Sequence, residues 1–348
     1  MQKLPPLDTE ALKTWFQKEK RSLPWRAYPT PYAVWVSEIM LQQTQASVVK
    51  DYFLRWMERF PTIDSLASAS LEEVIKMWEG LGYYSRARNL HQAAQFLVDQ
   101  YAGQLPSTRE ELSNIKGLGP YTIGAILSFA FQKKAAAVDG NVVRVLTRYF
   151  AITDDIQHSS TKKNIWQIAE NILPDVEPWI VTEALIELGA TVCKRDPDCA
   201  KCPLQKNCGA RLQGLQKEIP KKEKKVEITP LFRNVFVIVY EGEVLLQRGQ
   251  EGKVMAGLYE FPYVDREKKG FPFPLSAKKI ANLPEAEHHF TRYKVTLYPA
   301  LWKALERIEL PDYDWISWQK IKQYPFSSGH RRILKDLDNG KFTAHFTH

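Results

Sequence analysis

From Thr9 to about Ala190 apolar residues recur at helical spacing, punctuated by Pro61, Gly103, Pro106, Gly117 and Pro174. That pattern predicts packed helices with no strand among them. After Pro230 the pattern changes: "NVFVIVY", a turn at Glu241-Gly242, "EVLLQRG" and then "YKVTLYPALW" read as strands, with a helix expected from about His330 to Leu337. Between the two regions, residues 215–229 ("LQKEIPKKEKKVEIT") are rich in lysine and poor in apolar anchors, so they read as a linker or a solvated turn. The chain is thus expected to be multidomain, all-α over 1–214, with a basic linker over 215–229 and an α+β domain over 230–348.

At 348 residues, 44% hydrophobic and 25% charged, the chain can bury the cores of two such domains. No run reaches the roughly eighteen apolar residues of a membrane span, and the first residues, MQKLPPLDTEALK, lack the apolar stretch of a signal peptide. A reducing, bacterial-type cytoplasmic setting without membrane contact is expected, and a monomer. The formal charge of +8 is spread unevenly: residues 1–214 hold 25 Lys and Arg against 23 Asp and Glu, while 215–348 hold 23 against 17. So mild an excess is compatible with nucleic-acid binding and does not establish it.

All four cysteines fall in "CKRDPDCAKCPLQKNC", Cys193, Cys199, Cys202 and Cys208, with five, two and five residues between them. A reducing compartment disfavours disulfides and favours a metal. Zinc sites usually combine two close pairs, and no histidine lies near; a Cys₄ [4Fe–4S] cluster suits one compact loop better, with zinc and free thiols as alternatives. Lys194, Arg195, Lys201, Lys206 and Arg211 decorate the loop and either meet phosphates or are simply solvated.

"LSNIKGLGPYTIGAILSFAF" (112–131) sets Gly117-Leu118-Gly119-Pro120 between two helical segments, a tight turn that can bring bare N–H groups to a phosphate at a helix start. Gly-x-Gly alone is most often just a turn. About twenty residues on, "AVDGNVVRVLTR" supplies Asp139 at the start of another helix, either an N-cap or a functional acid. Glu38 lies in "VWVSEIML", apolar on nearly every side, so it is a buried structural acid or a pocket acid whose proton affinity burial raises.

The hairpin, Asp139 and the downstream four-cysteine loop resemble the helix–hairpin–helix base-excision glycosylases. Within that superfamily "SEIMLQQTQ" (37–45), "GLGYYSRARNLH" (80–91), "MAGLYEFP" (255–262) and "YPFSSGHRRIL" (324–334) are similar to the adenine DNA glycosylases, the MutY family. The resemblance implies a [4Fe–4S] cluster on the four cysteines and removal of adenine paired with 8-oxoguanine, or more weakly with guanine, in double-stranded DNA. It gives Glu38 the role of acid toward the departing base, Asp139 that of stabilising the sugar cation, and Asn141 that of orienting the acids. Gln43 and Tyr83 become wedges that replace the flipped base, with a polar helix surface and a core aromatic as their ordinary alternatives. Leu23, Trp25, Arg26, Leu41, Glu183 and Ile186 map onto the adenine pocket, and Gly117 and Gly119 onto the DNA-backbone hairpin. Related glycosylase–lyases carry a lysine where this chain has Tyr121, so base removal without efficient strand cleavage is expected.

Residues 230–348 resemble the Nudix-like domain of the family, the reader of the opposite base. "GLYEFPYVDREKKG" lacks the glutamate-rich Mg²⁺ signature of Nudix hydrolases, so a second enzyme is not expected. Two departures stand out. The first two cysteines are separated by five residues where the family usually has six, and its Phe-Ser-His lesion motif is here Phe290-Thr291-Arg292. Competing readings are an endonuclease III-like glycosylase for damaged pyrimidines and a non-catalytic damage-binding protein.

Overall fold

The computed structural model of the protein describes residues 6–223, 227–250, 255–268, 271–290 and 292–339. It divides into two compact units: residues 1–68 with 89–225, and residues 69–88 with 226–348.

The first unit is helical. The Thr9–Glu19 helix starts where the Asp8 carboxylate accepts from the Ala11 N–H at 2.9 Å, and the Pro31–Leu41 helix starts at a Thr30 cap followed by proline. Pro31–Leu41 is apolar all round, and every residue from Tyr32 to Met40 is buried. A helix without a polar face must sit in the middle of its domain. The Gly140–Tyr149 and Pro178–Thr191 helices pack together in a core that includes Val142, Val145, Leu146, Val181, Leu185 and Leu188. Residues 215–223 are tied to this unit: Ile219 is 1% exposed, its carbonyl accepts from Arg148 Nε at 2.9 Å, and the Glu223 N–H reaches Asp155 at 3.2 Å.

The second unit is built on an eight-stranded sheet: β1 (Thr229–Tyr240), β2 (Glu243–Arg248), β3 (Tyr259–Glu260), β4 (Tyr263–Asp265), β5 (Ala277–Asn282), β6 (Ala286–Phe290), β7 (Tyr293–Ala304) and β8 (Tyr313–Ser317). The path runs β3-β2-β1-β7-β5, with β4 on β1, β6 on β7 and β8 on β2. Among the described strand pairs, β1–β7 is the parallel one, from Thr229 opposite Tyr293 to Val239 opposite Lys303. The unbroken apolar run in β1 follows from burial on both faces: Val235, Val237 and Val239 pack toward the Ser328–Asp338 helix, Phe236 and Ile238 toward Trp315 and Leu275.

Residues 69–88 cluster with this unit although helical segments flank them. Lys76 donates to the carbonyls of Lys322 at 2.6 Å and Tyr324 at 3.0 Å, and Glu79 accepts the Phe326 N–H at 2.8 Å and pairs with Arg331. Arg88 donates to the Ala256 carbonyl at 2.6 Å. Among the described residues no helix is long and apolar enough to cross a membrane.

Candidate active site

Glu38 is on the central helix and is only 5% exposed, yet it lines a cleft of about 1160 Å³ in the helical unit. Tyr121 Oη donates to Glu38 Oε2 at 2.6 Å, across 83 residues of sequence. Burial pushes the Glu38 pKa up to about 7; the Tyr121 hydrogen bond and the Arg26 charge pull it down, and the Asp139 and Glu183 charges add to the rise. Near neutral pH this carboxyl is therefore shared between its protonated and ionised forms, as a group that donates and regains a proton must be.

The hairpin delivers Tyr121. The Arg109–Ser113 helix ends in a turn closed by the Leu118 N–H on Ile115 O, and the Pro120–Ala125 helix follows with Gly119 as its N-cap. Gly117 has φ +90°, and a Cβ there would stand 3.0 Å from Asn89 Cβ, so glycine is required twice over. Gly119 has an ordinary φ of −87° and open space around it.

Asp139 caps the Gly140–Tyr149 helix. Its Oδ1 accepts from the N–H groups of Asn141 at 2.9 Å and Val142 at 2.8 Å, and its Oδ2 from Asn141 Nδ2 at 2.6 Å. A helix start by itself favours an ionised carboxylate, but burial pushes the Asp139 pKa up, opposed by those hydrogen bonds and by the Arg144 charge. All three groups, from Asn141 and Val142, donate and none accepts, which is the surrounding an ionised carboxylate requires. Arg144 holds Asn141 in place, donating to its Oδ1 at 2.7 Å, to Gly189 O at 2.7 Å and to Cys193 O at 2.7 Å. Gly189 permits this approach, since a Cβ would meet Asn141 Cβ at 2.5 Å. Arg144 was missed by sequence reasoning; an arginine one turn beyond a helix-capping acid was the available signal.

The same cleft gathers most of the other candidates. Leu23, Trp25 and Leu41 line it, as do Arg26, Glu183 and Ile186; Gly117, Gly119 and Gln43 are there too. Leu23 and Trp25 are also core residues, at 6% and 7% exposure. Tyr83 belongs to the other unit, 45% exposed on the loop before the Ser85–Tyr101 helix. Both expected wedges are non-glycine residues in left-handed backbone, Gln43 at φ +58° and Tyr83 at φ +48°. Such conformations cost on the order of 1–3 kcal/mol and gather at functional sites.

The four cysteines are unpaired and line one small pocket together with Arg148, Arg211 and Gln216. Burial raises the thiols of Cys199, Cys202 and Cys208, Cys202 to about 12, and neighbouring cysteines add to each rise. Arg148 Nη1 donates to Cys193 Sγ at 3.3 Å. Among the described residues no three His, Cys, Asp or Glu side chains converge on a single metal-ion position. Four soft donors around one pocket fit a group that is itself cationic and several atoms wide.

In the sheet unit Phe290 ends β6, but its side chain and the whole of Thr291 lie outside the described residues. Arg292 is exposed; its carbonyl accepts the Thr229 N–H at 2.9 Å and its guanidinium stacks over the Tyr293 ring at 5.4 Å.

Residues 36–171 match the family model of HhH-GPD superfamily base excision DNA repair proteins, and residues 234–336 that of the NUDIX domain. The chain is similar to the adenine DNA glycosylase of Rattus norvegicus, 34% identical over 93% of this chain and 76% of that protein. It is likewise similar to that of Buchnera aphidicola subsp. Baizongia pistaciae, 33% identical over 92% and 88%. Among solved structures, a thermostable thymine-DNA glycosylase superposes with a TM-score of 0.55 at 29% identity, over 59% of this chain and 95% of that one. A trapped endonuclease III–DNA covalent intermediate gives 0.52 at 25%, over 60% and 95%.

Proposed function

The chain belongs to the adenine DNA glycosylase family of base-excision repair enzymes, and on that premise we propose that it hydrolyses the N-glycosidic bond of adenine paired with 8-oxoguanine, and more weakly with guanine. The observation that carries this reading is the pair of carboxyl groups in one cleft, Glu38 with its proton affinity raised to about 7 and Asp139 ringed by N–H donors. Two acids in different surroundings, one bonded to a phenol and one to backbone and amide N–H groups, can serve the two ends of a glycosidic bond.

The target adenine leaves the stack to reach the cleft, and Gln43 and Tyr83 fill the space it vacates. Glu38 then passes its proton to adenine N7. The C1′–N9 bond breaks with its electrons moving into the purine, and the Asp139 carboxylate stabilises the sugar cation by charge or by a transient ester. Water adds to C1′ and returns a proton to Glu38. Asn141 keeps Asp139 aimed. Tyr121 offers a phenol already bonded to Glu38 where a lyase would need an amine, so alkali should be needed to break the product strand.

Cys193, Cys199, Cys202 and Cys208 would hold a [4Fe–4S] cluster, whose iron would neutralise four half-buried thiolates and so fix the loop. Double-stranded DNA is the partner, and the sheet unit, with Phe290, Thr291 and Arg292, the reader of the base opposite adenine. The test is release of free adenine from A:8-oxoguanine, A:G and A:T duplexes under single-turnover conditions. Excision in that order of rate is expected, and release of a damaged pyrimidine in place of adenine would overturn the reading.

A further inference from the structure

Glu187 lies one turn after Glu183 on the Pro178–Thr191 helix, and its side chain is 0% exposed. A carboxylate so placed is stable only if its oxygens are fully bonded. Oε1 accepts from the Arg21 N–H at 3.1 Å and from Arg21 Nε at 2.7 Å; Oε2 accepts from Arg21 Nη2 at 3.0 Å and from Arg26 Nη2 at 3.0 Å. No acceptor capacity is left for a substrate.

Arg26 is held at three points. Besides Glu187, its Nη1 donates to Arg21 O at 3.0 Å and its Nε to Glu183 Oε1 at 2.6 Å. Two arginines and two glutamates thus form a charge-balanced quartet. Within this quartet Glu183 Oε2 accepts no hydrogen bond from a described residue, and Glu183 lines the cleft that holds Glu38. A carboxylate oxygen of this kind accepts from an exocyclic amine and repels an exocyclic carbonyl.

We propose that Glu187 and Arg21 are positioning residues for base selection: they clamp Arg26, and through Arg26 they set the angle at which Glu183 offers its remaining oxygen to the 6-amino group of the flipped purine. The inference rests on the adenine-glycosylase reading and deepens it. Removing the Glu187 charge leaves two guanidinium groups beside one carboxylate. Arg26 is then repelled by Arg21 and loses one of its three anchors, and Glu183 turns with it. A pocket built to bond a substrate amine loses discrimination steeply when the bond is misaligned.

The experiment uses the full chain and duplexes with 8-oxoguanine opposite adenine or opposite unsubstituted purine, which has no 6-amino group. Single-turnover excision is measured at saturating enzyme, with melting temperature alongside. Relative to wild type, Glu187→Gln should lower the adenine rate about tenfold or more while the purine rate stays within about threefold, so that the adenine-to-purine ratio falls. Arg21→Gln, on a side chain 39% exposed, should move the ratio in the same direction by a smaller factor, and it carries the test if Glu187→Gln does not fold. Equal loss on both bases, or an unchanged ratio in an active Arg21→Gln protein, overturns the proposal and leaves the adenine-glycosylase reading standing. A wild-type protein that releases no adenine overturns that reading and the proposal with it.

Discussion

Glu38 and Glu260 are both 5% exposed, and both have their proton affinity raised by burial. Glu38 takes a hydrogen bond from Tyr121 at 2.6 Å and faces a cleft with Asp139. Glu260, in the sheet unit, takes one from Ser327 Oγ at 2.9 Å and stands 3.6 Å from His330 Nε2, beside Phe261 and Phe326. His330 Nδ1 accepts the Phe261 N–H, and burial pushes the ring well below its usual pKa, so it stays neutral. The lesson is that burial alone makes an acid hold its proton, but only a cleft lets it hand the proton on. One unit opens its buried carboxyl to a cleft, and the other ties it into a core.

The sharpest way to break that comparison is to neutralise both acids. Glu38→Gln should lower adenine release by roughly 10²–10⁴-fold with DNA binding retained, whereas Glu260→Gln should leave release within about threefold, both followed by free-base assay. Near-equal losses would mean that the sheet-unit carboxyl also serves the reaction.

Cys202→Ser comes next, because it should act on one unit only. Purified wild-type protein should contain about four iron and four acid-labile sulfide per chain, and the variant neither. The variant should melt earlier in the helical unit, as read by helical circular dichroism. Zinc in place of iron in the wild type would reject the cluster.

The pH profile sharpens the Glu38 side. A general acid works only while protonated, so excision should fall as pH rises through the Glu38 pKa of about 7. Tyr121 donates to the ionised form and lowers that pKa, so Tyr121→Phe should move the alkaline limb to higher pH. A limb that stays in place would mean that another group titrates in the profile.

The smallest effect is expected from Arg292→Ala in the sheet unit. The Arg292 side chain is exposed and, among the described residues, donates to its neighbour Tyr293 Oη at 3.3 Å, a setting that suits a phosphate contact. Binding of A:8-oxoguanine and A:G duplexes should weaken about equally, and the salt dependence should flatten. Selective loss on the lesion duplex, about 1–3 kcal/mol, would instead make Arg292 a base reader.

Much of this was legible in the chain because the signals are local. Helical spacing, the Gly117 turn, Asp139 ahead of a helix and four cysteines in sixteen residues are each written within one segment, where backbone geometry and chain connectivity decide the outcome. Glu38 was legible for the same reason, since an apolar run on every side leaves a helix no polar face to present. Tertiary packing decided the rest. It brought Tyr121 to Glu38, set Glu187 between two arginines more than 150 residues away, joined residues 69–88 to the sheet unit, and raised the Asp139 affinity where its helix start alone would have lowered it. Side-chain bonds of this kind join segments whose spacing in sequence carries no periodic signal, and desolvation depends on everything packed around a group. Sequence therefore names the acids, and the packed structure decides which of them can use its proton.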